Sequence, residues 1–167
     1  LGPATKVQEE LMGIPSFDTP DYTELFSEEK EMIAKLKKAF LMVAGGAVQK
    51  YGPDLDGHQQ LLMAAADILI EIYMAESTIL RTEKLAKKEG ESKVPEQIAM
   101  AKLYLYKAVD IVTQKGKESI ISFAEGDEQR MMLMGLRRFT KYTNMPNIVG
   151  LRETITTKLV AENAYCF

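Results

Sequence analysis

Apolar residues recur at intervals of three and four along most of the chain, which is the spacing of one helix face. The first such run starts at Ser27, a good N-cap residue, and carries acidic residues in its first turn, where the helix dipole favours negative charge. The run contains Gly45 and Gly46, each of which costs about 1 kcal/mol relative to alanine inside a helix. We therefore expect close backbone packing or a kink there. The apolar positions of this helix are Ile33, Leu36, Phe40, Val43 and Ala47.

A second, longer helix is expected from about Asp56 to Lys88. Its apolar stripe consists of Leu61, Ala65, Ile68, Ile72, Ala75 and Ile79, and the same face is widened by Leu62, Leu69, Tyr73 and Leu80. A polar turn follows. Pro95 then suits the first position of a third helix, which carries Ile98, Leu105, Val109 and Val112 on its face.

The segment FAEGDEQRMMLMGLRRFTKY (residues 123–142) combines a glycine, acidic residues, methionines and two adjacent arginines. Gly126 suits the end of one helix and Asp127 the N-cap of the next, so we interpret the segment as a helix corner, not an active site. Asn147 can cap a fifth helix, with Ile148, Leu151, Ile155 and Leu159 inside. No segment shows the alternation of a strand. The pattern predicts an all-α fold: an antiparallel bundle of four to five helices in a single domain, residues 27–167, preceded by an irregular arm, residues 1–26.

Composition excludes several classes of function. The formal charge of -3 and the isoelectric point near 5.4 argue against a nucleic-acid partner, which usually requires a basic excess. With a single cysteine, Cys166, and a single histidine, His58, the sequence offers no Cys/His set for a metal site. His58 lies in a glycine-rich turn, so we interpret it as an exposed turn residue instead of a catalytic base.

Two charged residues fall among apolar neighbours. Glu76 has apolar residues at its three- and four-residue spacings, and Lys102 interrupts the stripe of the third helix. A buried carboxylate must find a partner or take up a proton. Glu76 is therefore either a catalytic base or half of an interhelical polar pair, and the lack of a histidine or phosphate loop beside it favours the pair. The candidate partners are Lys102, Tyr106 and Arg130.

Several strings resemble one enzyme family. The stretch ADILIEIYMAESTILRTEKLAKKEG (residues 66–90) resembles the C-terminal domain of the very-long-chain branch of acyl-CoA dehydrogenases. The segment SFAEGDEQRMMLMGLRRFTKYT and the ending ENAYCF are similar to long acyl-CoA dehydrogenases of certain bacteria. The resemblance covers roughly residues 30–167.

This resemblance implies an accessory helical domain that follows a catalytic body, packs on it and supports a homodimer. In that family a flavin, FAD, lies among the catalytic domains, and a glutamate removes the substrate α-proton while the β-hydride goes to the flavin. The parent enzyme would oxidise fatty acyl-CoA to 2-enoyl-CoA. The chain shows neither the flavin-binding segments nor the catalytic-glutamate segment, so we expect no catalytic, cofactor-binding or metal-binding residue in it.

The arm, residues 1–26, would then be the linker from the catalytic body, with the LMGIP segment and Phe17 as docking points. In mitochondrial relatives a segment at this place aids membrane association, but the arm lacks a cationic amphipathic helix, which argues against it here. Neither a signal peptide nor an apolar run of roughly 18 residues is present, so we expect a cytoplasmic protein. The alternative is a free-standing all-α adaptor that binds a partner helix in a groove.

Overall fold

The computed structural model describes residues 2–12 and 22–166, with side chains for residues 2–7 and 22–166. The described chain forms α1 (Gly2–Met12), α2 (Ser27–Tyr51), α3 (Gln59–Glu89), α4 (Pro95–Phe123), α5 (Gly126–Phe139) and α6 (Ile148–Glu162). Two 3-10 turns, Gly52–Gly57 and Glu91–Lys93, join α2 to α3 and α3 to α4. The described residues contain no strand, and the predicted all-α bundle is confirmed.

Helices α2, α3 and α4 form the centre of the bundle. Their inner faces are fully buried: Leu36 of α2, Ala75 of α3 and Leu105 of α4 each have 0% of their surface exposed. Ion pairs between α2 and α3 join the start of one helix to the end of the other, as in Lys30 with Glu83 at 2.8 Å, so these helices run antiparallel. The core is therefore built from the apolar stripes that the three- and four-residue spacing marks out.

The glycine pair in α2 permits two close contacts, as its position within a helix predicted. A Cβ placed on Gly45 would lie 2.6 Å from the Cβ of Ala4 in α1. A Cβ placed on Gly46 would lie 2.7 Å from Met132 Cε and 2.9 Å from Phe123 Cε2. Carbon atoms prefer separations of about 3.5–4.0 Å, so only glycine fits at these positions without a shift of the neighbours.

The structure corrects the expected irregular arm. Residues Gly2–Met12 form helix α1, which packs on α2. Val7 is 4% exposed, and Ala4 contacts the Gly45 surface. The helix was missed because its stability depends on this tertiary contact, whereas periodicity within eleven residues is weak. Most of the LMGIP segment and Phe17 lie outside the described residues.

The helix ends follow some of the predicted signals and not others. Pro95 begins α4, and the Asn147 side chain accepts a hydrogen bond from the Gly150 N–H at 3.1 Å, as an N-cap should. Ser27 is not the N-cap, because it is already the first residue of α2 and its hydroxyl donates to the Glu24 carbonyl at 2.8 Å. Asp127 is likewise inside α5, one residue after its start.

Helix α6 lies on α4 as the outermost helix and has no buried residue. Its predicted inner positions, Ile148, Leu151, Ile155 and Leu159, are half-buried. Lys158 ties the helix to Glu96 at the start of α4, with a separation of 3.4 Å. In the part of the chain that the structure describes, no helix has the length and apolarity to cross a membrane.

Candidate functional site

Glu76 lies on α3 beside α2, and its carboxylate accepts a hydrogen bond from Lys37 Nζ at 2.6 Å. The Glu76 side chain is 37% exposed and that of Lys37 is 48% exposed. The prediction of a buried carboxylate was therefore wrong, and so were the proposed partners. A neighbouring helix does hold the carboxylate, but through a pair in contact with solvent, which needs no desolvated charge.

The error arises because α3 carries two apolar stripes. At about 100° per residue, the buried residues Ile68, Ile72 and Ile79 lie on one side of the helix. Tyr73 and Leu80 lie about 100–120° around the helix from these residues and are 67% and 51% exposed. Glu76 lies between the two stripes, so it has apolar sequence neighbours from both sides without belonging to either.

Lys102 has a different partner from the predicted one. Its Nζ lies 2.9 Å from the Glu29 carboxylate in the first turn of α2, and the Glu29 side chain is only 13% exposed. The rings of Tyr106 and Tyr142 stack with centroids 6.3 Å apart. Burial raises the pKa of the Tyr142 hydroxyl well above its usual value, and the Glu29 carboxylate adds to the effect. This cluster joins α2, α4 and the segment after α5.

Arg130 is not part of this cluster and lies on the surface of α5. Its side chain is 81% exposed and pairs with Asp127 one turn earlier in α5, at 3.2 Å. The structure therefore separates the four predicted residues into three different surroundings. None of the other three residues is the partner of Glu76.

Polar pairs flank α3 on both sides of its outer surface. On the α2 side, the pairs are Lys37 with Glu76 at 2.6 Å and Lys30 with Glu83 at 2.8 Å. On the α4 side, the pairs are Lys115 with Asp67 at 3.2 Å and the Tyr104 hydroxyl with Glu71 at 3.0 Å. We call these four pairs the polar rim of α3. Hydrogen bonds from Lys30 and, to a smaller extent, from Lys87 lower the pKa of the Glu83 carboxyl.

Between the two rows of the rim runs an exposed apolar strip. Its positions repeat at intervals of three and four, and we call them the outer stripe: Met63, Ala66, Ile70, Tyr73, Ser77 and Leu80. All six are exposed, with Met63 at 66% and Ile70 at 57%. Leu69 and Met74, also exposed, border the stripe. The sequence interpretation missed this surface because it assigned Leu69, Tyr73 and Leu80 to the inner face; the repeat itself was the available signal.

The described cavities lack the free cationic side chains that a flavin dinucleotide needs. The cavity of about 380 Å³ beside Tyr51 and His58 has no lysine or arginine in its wall. The groove between α3 and α4, of about 310 Å³, is lined by Asp67 and Glu118, and its cation Lys115 is already paired with Asp67. A cavity of about 120 Å³ beside Tyr142 has Glu28 and Glu29 in its wall. A pyrophosphate group needs cationic side chains or converging backbone N–H groups, and acidic linings repel it. We assign no chemical step to these residues.

Metal ligands are also not grouped in the described residues, where no three His, Cys, Asp or Glu side chains lie in a position to hold an ion. His58, half-buried before α3, stacks on Tyr51 with ring centroids 3.5 Å apart. Its role in the structure is thus a packing one between the end of α2 and the start of α3. The dominant surface feature is the outer stripe with its polar rim.

Comparison with known proteins identifies the family. The family model described as the C-terminal domain of acyl-CoA dehydrogenases matches residues 35–138, which is more than half of the chain. The chain belongs to this acyl-CoA dehydrogenase family. The matched region begins within α2 and ends in α5, so it contains all of α3 and α4 and most of α2, and the resemblance noted in residues 66–90 is confirmed.

Two relatives agree with this assignment to the acyl-CoA dehydrogenase C-terminal domain. A probable acyl-CoA dehydrogenase of Bacillus subtilis (strain 168) is 35% identical over 159 residues, which are 95% of this chain and 26% of the relative. The crystal structure of an acyl-CoA dehydrogenase from Bacillus anthracis complexed with FAD matches with a TM-score of 0.88 at 35% identity. That match covers 98% of this chain and 27% of the Bacillus anthracis chain. The chain thus spans about a quarter of the length of these relatives.

Proposed function

We propose that this chain is the accessory C-terminal domain of an FAD-dependent acyl-CoA dehydrogenase. The parent polypeptide oxidises fatty acyl-CoA to 2-enoyl-CoA, with FAD held by the domains that precede this one. The domain itself packs on those domains and supports a homodimer. Its own residues position and stabilise those domains, and they take no part in the transfer of the proton or the hydride.

One observation carries this proposal. Nearly the whole chain, 98%, matches about a quarter, 27%, of a solved acyl-CoA dehydrogenase that is complexed with FAD. A TM-score of 0.88 indicates the same fold over the aligned residues, so the chain corresponds to a part of such an enzyme and not to the whole. In the three described grooves the lysines are already paired, Lys115 with Asp67 and Lys102 with Glu29, which agrees with a flavin site elsewhere in the polypeptide.

Family membership also favours this function over the free-standing adaptor that binds a partner helix. The cytoplasm is the compartment that we propose for the parent. Its support is the sparing use of cysteine: the chain has only Cys166, so it is not built on the disulfide framework that is common in small secreted domains.

The test is to purify the polypeptide that contains this chain together with the upstream region and to add fatty acyl-CoA without an electron acceptor. We expect the absorbance of the bound flavin to bleach with each acyl-CoA that is oxidised. A polypeptide that carries flavin but does not bleach with acyl-CoA of any chain length would overturn the proposed substrate class. A polypeptide without flavin would overturn the proposed enzyme. Light scattering of the same sample tests the homodimer, which predicts twice the mass of one polypeptide.

A further inference from the structure

We propose that the outer stripe of α3 is the surface through which this domain docks on the preceding domains of its own polypeptide. The inference rests on the proposed function, since it needs a catalytic body in the same chain. It adds the location of the contact, which family membership does not give.

The first support is the stripe itself. Four large apolar side chains, Met63, Ile70, Tyr73 and Leu80, are each at least half exposed on one face of the longest helix. From residue 63 to residue 80 the helix rises about 26 Å, at 1.5 Å per residue. A continuous apolar strip of this length is comparable in size to the largest apolar patch of a typical monomer, and such a patch often marks a contact site.

The second support is the order of large and small side chains. Ala66 and Ser77 each lie between large residues along the stripe. Ridges of large residues separated by small ones allow another element to approach closely and to interdigitate. The stripe is thus shaped for packing against a further layer, as the inner stripe of the same helix is.

The third support is the rim. Polar pairs border the stripe on both sides, among them Lys37 with Glu76 at 2.6 Å and Lys115 with Asp67 at 3.2 Å. An apolar centre surrounded by polar groups that remain accessible to water is the usual anatomy of a protein contact surface. In this arrangement Glu76 fixes α3 against α2 at the edge of the contact.

The area of the stripe indicates which partner covers it. A strip about 26 Å long and about 10–12 Å wide presents roughly 300 Å², since that is the diameter of a helix with its side chains. Stable complexes of separate molecules bury about 800 Å² on each partner, so a second copy bound through this face alone has too little area. Domains of one polypeptide bury as little as about 300 Å² each, because the linker supplies a high effective concentration. The relatives extend well beyond this chain, which covers only 26% of one and 27% of the other.

The test is methionine oxidation by dilute peroxide in the flavin-containing polypeptide, read by mass spectrometry. The domain contains matched pairs of methionines. Met63 in the stripe is 66% exposed, as against 69% for Met134 on α5. Met74 beside the stripe is 44% exposed, as against 43% for Met131 on α5. Rates measured in the unfolded polypeptide correct for the intrinsic reactivity of each site.

We expect Met63 and Met74 to be oxidised roughly fivefold or more slowly than their partners on α5, since side chains in the centre of an interface keep little accessible surface. The substitution Tyr73→Glu, at a position 67% exposed, should bring the rate at Met63 back towards that of Met134 without changing the flavin content. The matched control Val160→Glu, on α6 at a position 79% exposed, should leave the protection intact.

Equal rates within both pairs, in a polypeptide that contains flavin and oxidises acyl-CoA, would overturn the docking surface while the proposed function stands. Slow oxidation of Met131 and Met134 instead would place the contact on α5 and would also overturn it. Protection that disappears on dilution, together with a halved mass, would assign the stripe to a second copy. A polypeptide that contains no flavin overturns the proposed function and this inference together.

Discussion

The contact between α1 and α2 makes a sharp prediction for Gly45→Ala. The new Cβ would lie 2.6 Å from the Cβ of Ala4, about 1 Å closer than carbon atoms tolerate. The Ala4 Cβ has no rotamer by which it can move aside, so α1 must shift as a whole. We expect the variant to release α1 while it leaves the rest of the bundle folded.

The magnitude follows from two opposing terms. Val7, 4% exposed, is the buried apolar side chain of α1 within the described residues, and burial of a valine contributes about 1.5–3 kcal/mol. Replacement of a helical glycine by alanine stabilises α2 itself by about 1 kcal/mol. The two terms act on different parts of the molecule. Residues 2–12 should therefore lose about 10- to 100-fold in protection from hydrogen exchange, because 1.4 kcal/mol is a factor of ten. The melting temperature of α2–α6 should stay unchanged or rise.

The assay is hydrogen exchange read by mass spectrometry for residues 2–12, together with thermal unfolding. The double variant Gly45→Ala with Ala4→Gly removes the clash and should recover part of the protection. Gly57→Ala is the control, since no atom lies within 4 Å of a Cβ at that position. Unchanged exchange of α1 in Gly45→Ala, or a fall in the melting temperature of the whole bundle, would refute the reasoning.

Three further predictions concern the core and the ion pairs. Gly46→Leu should destabilise the bundle by about 1–3 kcal/mol in urea unfolding, because its side chain enters a filled space; an unchanged midpoint would contradict this close packing. Glu83→Gln should cost about 0.5–1 kcal/mol at neutral pH. Hydrogen bonds, chiefly the one from Lys30, lower the pKa of the Glu83 carboxyl. The difference in stability between the two proteins should therefore be present at pH values above the usual carboxyl pKa and should vanish as the pH falls through the lowered pKa. A stability difference that persists in acid would contradict the ion pair. Lys102→Met should cost about 1–3 kcal/mol in thermal unfolding, because it leaves the nearly buried Glu29 without its cation, and Glu29→Gln in the same chain should recover part of the loss; no recovery would show that the methionine acts through packing alone.

Much of the fold could be predicted from the sequence because local signals and the packing agree. The inner stripe of α3 repeats at three and four, and Ile68, Ile72 and Ile79 are buried as that repeat requires. Pro95 and Asn147 mark helix starts through backbone chemistry that acts within a few residues. Such signals need no knowledge of the partner helix.

The site was harder to predict because the buried face of a helix depends on which other helices cover it. Two apolar stripes on opposite sides of α3 produce the same three- and four-residue spacing around Glu76 as one wide stripe does. Whether Tyr73 faces the core or the solvent depends on where α2 and α4 lie, which is information from the fold. The partner Lys37 was missed for the same reason, since it is 39 residues away in sequence.

Helix α1 shows a second limit of the sequence. Its eleven residues are too few for a stable isolated helix, and Pro3 lies in its first turn, where proline is tolerated but does not by itself indicate a helix. The contact between Ala4 and the flat surface at Gly45 holds the helix. The sequence predicts close packing at Gly45 but does not identify Ala4 as the neighbour. A glycine pair in a helix therefore predicts a close neighbour, although the neighbour must come from the structure.

The central claim is that this chain is a non-catalytic domain of a flavin enzyme, and flavin stoichiometry tests it most directly. The measurement is the amount of FAD per mole of protein for two purified samples: the polypeptide with its upstream region, and residues 1–167 alone. The account predicts about one FAD per polypeptide in the first sample and none in the second, because the three described grooves hold no lysine or arginine that is not already paired with an acid, and a pyrophosphate needs such cations. Stoichiometric FAD on residues 1–167, or its absence from the longer polypeptide, would contradict the account.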